Sequence, residues 1–147
     1  TFAKRELRMN GRKRGDVMLA FADLDGLKRV NDTWGHAAGD WLISSFAGIL
    51  RKTFRDTDIL ARLGGDEFSV LAVDCPLSEF NAVRKRINAL LQELNDSSGK
   101  SWKVRVSLGF AHSAEMEGDF TLSDLMTLAD HRMYEEKLSH RDCRDNG

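Results

Sequence analysis

Apolar residues run along the chain in two rhythms. Residues 17–22, VMLAFA, form a continuous apolar run, the pattern of a strand covered on both faces, and it stops abruptly at the acidic DLD of 23–25. Residues 41–54, WLISSFAGILRKTF, set Leu42, Phe46, Ile49 and Leu50 at helical spacing. Residues 58–63 (DILARL) and 67–73 (EFSVLAV) are rich in aliphatic, β-branched and aromatic side chains that partly alternate. The Gly64–Gly65 pair between them predicts a hairpin, since glycine reaches the positive-φ conformations of tight turns. In LSEFNAVRKRINALLQELN, Phe80, Val83, Ile87, Leu90, Leu91 and Leu94 share a helical face, with the basic residues opposite. WKVRVSLGFAHS alternates Val104, Val106, Leu108 and Phe110 as a strand does, and TLSDLMTLADHRMYEEKLSH returns to helical period behind a cap-like Thr-x-x-Asp start. A short amphipathic helix accounts for the basic N-terminus, TFAKRELRMNGRKRGD. The predicted order is helix, strand, helix, hairpin, helix, strand, helix, which implies an α+β (α/β) sheet with helices packed on it. Residues 95–100, NDSSGK, read as a loop, and residues 23–40 as a polar stretch broken by glycines at 26, 35 and 39.

Composition excludes more than it selects. A chain of 147 residues, 41% hydrophobic and 31% charged, has the size of one domain with a proper core. A net charge of −1 argues against nucleic acid and membrane surfaces as general partners. No run reaches membrane-spanning length and the N-terminus lacks the apolar core of a secretory signal, so the expected location is the cytoplasm, free or as the cytoplasmic part of a membrane-anchored receptor. Cys75 and Cys143 lie far apart and form no metal-ligand or redox pair.

The RLGGDEF stretch, residues 62–68, sets two carboxylates side by side in the turn, which a plain hairpin does not require and which repel unless a cation or proton sits between them. With the strand ending at Ala22 laid beside the hairpin, Asp23 joins Asp66 and Glu67 at one sheet edge. Three carboxylates there suit a divalent cation, and magnesium, with its preference for carboxylate, water and phosphate oxygens, fits better than zinc. A turn without chemistry and a strand-end aspartate remain the plain alternatives.

The spaced pattern D-x-D-x-x-K-x-x-N-D-x-x-G-H-x-x-G-D over residues 23–40, followed by R-x-G-G-D-E-F, resembles the GGDEF domain of diguanylate cyclases, which condense two GTP molecules into cyclic di-GMP; the likeness runs from residue 17 to 141. It implies a palm-like nucleotidyl-cyclase sheet, mostly antiparallel, and two magnesium ions per active site, with manganese as a substitute. Asp23, the main-chain carbonyl of Leu24 and Asp66 match the metal ligands. Asp66 or Glu67 is matched to the general base, and Lys28 to a lysine near the phosphates. Asn31 and Asp40 match guanine contacts: a carboxylate accepts guanine's N1 and N2 hydrogens together, and adenine lacks that paired donor edge. His36 matches a further substrate-side position, and Lys137 and Arg141, four apart, match phosphate contacts. The family's usual A-L-Y-x-A-K-x-x-G-R reads RMYEEKLSHR here, so Glu136 replaces alanine and His140 replaces glycine. Glu136 is expected to weaken triphosphate binding unless it points to solvent. Arg55 and Asp58, in RDTD, match the R-x-x-D product-inhibition site, and Arg86 a third member of it.

The resemblance therefore implies a homodimeric enzyme that takes GTP, releases cyclic di-GMP and is inhibited by it. The alternatives are a cyclic di-GMP receptor without turnover and a dimerisation module in signalling. A segment D-x-L-T-G-L-x-N-R that usually precedes the first helix has no counterpart, so residues 1–147 are expected to be a single GGDEF domain truncated at its N-terminus, with a sensory or regulatory domain upstream.

Overall fold

A computed structural model describes residues 8–9 and 16–145, with side chains over 16–141. Its elements are strand β1 (Arg8–Met9), strand β2 (Val17–Leu24), helix α1 (Leu27–Trp34), helix α2 (His36–Thr53), strands β3 (Ile59–Arg62) and β4 (Glu67–Val73), helix α3 (Glu79–Ser97), strand β5 (Val106–His112), strand β6 (Phe120–Thr121) and helix α4 (Leu122–Asp145). A four-stranded sheet has the order β3-β4-β2-β5 with every pair antiparallel, and β1 pairs with β6 separately.

All eight residues of β2 are buried, because the strand is central and its alternate side chains enter two different cores. Met18, Ala20, Ala22 and Leu24 face α1, α2 and α3, where Leu42, Phe46, Ile49, Leu50, Ile87 and Leu91 close the larger core. Val17, Leu19 and Phe21 face α4 and meet Leu125, Ala129 and Met133. Asp23 continues this second, α4-facing set. The helix lies close to β5: a Cβ on Gly109 would stand 2.0 Å from the Ala129 carbonyl oxygen and 2.3 Å from the Met133 nitrogen. α4 also satisfies the backbone at the free edge of β5, Glu136 accepting from the Leu108 N–H and Arg132 donating to the Phe110 carbonyl at 2.7 Å. Its start is the capping box expected from sequence, Thr121 Oγ1 accepting from the Asp124 N–H at 3.1 Å and Asp124 Oδ2 from the Thr121 N–H at 2.9 Å.

Four expectations need correction, the first that residues 95–100 are a loop: α3 runs on through Asn95, Asp96 and Ser97. The N-terminal helix is not found at Arg8–Met9, which form a strand, and the rest of that prediction lies outside the described residues. The polar stretch 23–40 is mostly helix, α1 and the first turn of α2, joined at Gly35. Gly64 and Gly65 do not use positive φ; the left-handed positions near the site are Gly26 at +74° and Gly35 at +94°, which begin α1 and end it.

Candidate active site

The β2–α1 turn and the β3–β4 hairpin meet at one end of the sheet. Asp23 lies opposite Glu67 in the ladder, and the Leu24 N–H donates to the Asp66 carbonyl at 2.8 Å. Arg62 braces the hairpin from within, its guanidinium donating to the carbonyls of Gly64 at 3.0 Å and Gly65 at 2.8 Å. No atom lies within 4 Å of where a Cβ would stand on either glycine, so the backbone before Asp66 is open to a ligand's approach.

Carboxylate oxygens of Asp23, Asp66 and Glu67 lie within 4.8 Å of one another. Asp23 is 3% exposed; its Oδ2 accepts from Lys137 Nζ at 2.7 Å, and its Oδ1 is buried with no hydrogen-bond partner. Burial pushes the Asp23 carboxyl up to about 6; the hydrogen bond from Lys137 opposes that rise and the charge of Asp66 adds to it. Burial would lower the pKa of Lys137, but its bond to Asp23 and the charges of Asp23 and Asp66 outweigh this and raise it. An orphaned, buried carboxylate oxygen among two further carboxylates is an environment a divalent cation would neutralise, so the donor set fits a hard, oxygen-seeking ion.

Of the other candidates, Asn31 stands at the α1–α2 junction. Its main-chain carbonyl accepts from the Gly35 N–H, and a Cβ on Gly39 would fall 1.8 Å from its Oδ1, so bare Gly39 gives this side chain its place against the first turn of α2. Lys28, His36, Asp40 and Arg141 are exposed on the helices. Arg141 lies one turn beyond Lys137 on α4, as their spacing predicts. Glu136 has partners of its own on the sheet side of α4. Its side chain, about a quarter exposed, accepts from Arg84 at 2.8 Å and from the Leu108 N–H, so its charge is paired.

Arg55 and Asp58 come together away from this edge. The Arg55 N–H donates to Asp58 Oδ2 at 2.9 Å, while its guanidinium donates to the carbonyls of Val73 and Asp74. Both line a cleft of about 310 Å³, and Asp58 Oδ1 is buried without a partner. Arg86 does not line it; its guanidinium donates to the Lys52 carbonyl at the end of α2, at 3.2 and 3.3 Å. Trp41 and Trp102 pack edge to face at 5.7 Å, and Trp34 is 53% exposed.

Sequence reasoning left Arg62, Asp25 and Ser107 without a role. Asp25, the second aspartate of the DLD stretch, accepts from Ser107 of β5 and from His140 of α4.

The antiparallel sheet thus carries an acidic pair on its hairpin and a third acid on the neighbouring strand, within reach of one another. The chain matches the family model "Diguanylate cyclase, GGDEF domain" over residues 1–143 and belongs to that family. It is 35% identical to the diguanylate cyclase DgcS of Shewanella oneidensis over 134 residues, 90% of this chain and 43% of that protein. Among solved structures it superposes on the GGDEF domain of YfiN (TpbB) from Pseudomonas aeruginosa with a TM-score of 0.74 at 32% identity, covering 85% of this chain and 73% of that one. The GGDEF domain of DgcB from Caulobacter crescentus, determined in complex with c-di-GMP, matches with a TM-score of 0.69 at 27% identity, covering 85% and 74%. The chain spans less than half the length of the curated relatives it matches.

Proposed function

We propose that this chain is a single diguanylate cyclase domain that condenses two GTP molecules into cyclic di-GMP, working in the cytoplasm as a homodimer under an upstream sensory or regulatory domain. The observation that carries this reading is the convergence of Asp23, Asp66 and Glu67, with one buried carboxylate oxygen left unpartnered. Asp23, the Leu24 carbonyl and Asp66 would hold divalent ions, magnesium or in its place manganese, which when bound neutralise the triphosphate and make the attacking hydroxyl more acidic. Asn31 and Asp40 select guanine at the α1–α2 junction, with His36 beside them. Each GTP presents its 3′-hydroxyl to the α-phosphate of the other; a new P–O bond forms, the bond to the β-phosphate breaks, and diphosphate leaves. Asp66 or Glu67 takes the hydroxyl proton. Lys28, Lys137 and Arg141 offset the growing phosphate charge, Lys137 from within the acidic cluster.

The unpartnered oxygen of Asp58 favours a second ligand site, where cyclic di-GMP binds across Arg55 and Asp58 and restrains the enzyme. Arg86 joins that site only by releasing the Lys52 carbonyl. The same observation supports the rival reading, a receptor that binds cyclic di-GMP without turnover. Incubation with GTP and magnesium, with and without a fused dimerisation helix, separates the two. Cyclic di-GMP that forms in the dimer and vanishes in Asp66→Ala supports catalysis; binding of cyclic di-GMP with no product in either form supports the receptor.

A further inference from the structure

His140 stands where the family pattern has glycine, and it is not idle. Its Nδ1 lies 2.9 Å from Asp25 Oδ2 and 3.2 Å from Ser107 Oγ, and the Ser107 hydroxyl donates to both Asp25 oxygens at 2.9 and 3.0 Å. A carboxylate oxygen only accepts, so Nδ1 carries a proton. The Asp25 side chain is 4% exposed, and its main-chain N–H donates to the Arg105 carbonyl at 2.9 Å. Asp25 is thus a buried peg held from three directions, and His140 is the only one of the three holders that comes from α4.

One turn earlier on α4, Lys137 holds Asp23. The helix therefore grips the residue before Leu24 and the residue after it. With both neighbours fixed, the peptide bearing the Leu24 carbonyl cannot swing without breaking a charge-assisted contact. We infer that His140 is a positioning residue: by locking Asp25 it sets the direction of the Leu24 carbonyl and so tightens the metal-binding turn, a function that glycine at this position cannot perform. This rests on the metal-dependent reading given above, in which Leu24 and Asp23 are ligands.

Loss of a group that orients a ligand typically weakens metal affinity by about 10- to 100-fold, and His140, acting through Asp25, belongs at the lower end. The test is the Mn²⁺ concentration that half-saturates binding of a fluorescent, non-hydrolysable GTP analogue, read by anisotropy on samples shown to be folded by thermal melts. His140→Ala is expected to raise that concentration about tenfold. His140→Asn, whose side-chain nitrogen can take the place of Nδ1, is expected to recover most of the loss. Should the alanine variant not fold, Ser107→Ala removes a donor to the same carboxylate and carries the same expectation. An alanine variant within about twofold of the unsubstituted chain, or an asparagine variant no better than alanine, overturns the inference, since neither fits a positioning hydrogen bond. If the unsubstituted chain itself shows no Mn²⁺ dependence beyond that of Asp66→Ala, the metal reading fails and this inference goes with it.

Discussion

Asp23 is a residue at which folding and chemistry pull in opposite directions. Its carboxyl is buried against α4 beside Asp66, and its pKa stands near 6 instead of 3.8. An acid whose pKa is raised by folding binds its proton more tightly in the fold than in the open chain. Its contribution to stability is therefore complete below about pH 4 and is lost as pH rises through about 6. Without metal, the unsubstituted domain should lose stability between pH 4 and pH 7 relative to Asp23→Asn, as seen in thermal melts. Metal competes for the same oxygens, so divalent-ion affinity should fall about tenfold from pH 7.5 to pH 5, and Asp23→Asn should flatten that dependence. A pH-independent affinity in the unsubstituted domain would count against Asp23 as a ligand. The three acids were legible in sequence because adjacent carboxylates in a glycine turn demand an explanation. The peg at Asp25 was not: His140 and Ser107 are 115 and 82 residues away from it, and each alone reads as an ordinary polar residue.

Among the elements, α4 and β5 show how closely the site depends on packing. Gly109 faces the helix with no room for a side chain, and the atoms in the way are backbone, which cannot turn aside. Gly109→Ala should therefore push α4 off the sheet, costing on the order of 3 kcal/mol in denaturant unfolding, and should loosen Lys137 and His140 with it. A cost below about 1 kcal/mol would show that the helix is free to shift. The strands and the long helices were legible because their apolar residues repeat with a clear period. Helix α1 was not, because it buries only Leu27 and Val30 and leaves the rest of its surface exposed, so too few apolar positions remain to mark a helix. A strand as short as β1 carries no period at all. The partners of Glu136 were not legible either, because position on a helix says nothing of direction, and the unpaired edge of β5 with Arg84 beside it draws the carboxylate there.

For the molecule as a whole, the acidic cluster occupies one end of the sheet and the Arg55–Asp58 cleft lies away from that edge, so under the proposed function substrate and product would bind apart. If two protomers must meet for turnover, the rate per protomer should rise with protein concentration and level off once dimers dominate. Arg55→Ala should leave the initial rate close to that of the unsubstituted chain while removing the slowing that accumulates with product. A rate per protomer that does not change with dilution, in a sample shown by light scattering to dissociate, would speak against the dimeric mechanism. No helix among the described residues is long and apolar enough to cross a membrane.

The central place of β2 has one more consequence. The strand that delivers Asp23 is bonded on both sides and roofed on both faces, which makes it the part of the chain that lets go last when the domain loosens. Fraying at the margins then leaves the buried carboxylate of Asp23 at its post until the whole structure gives way.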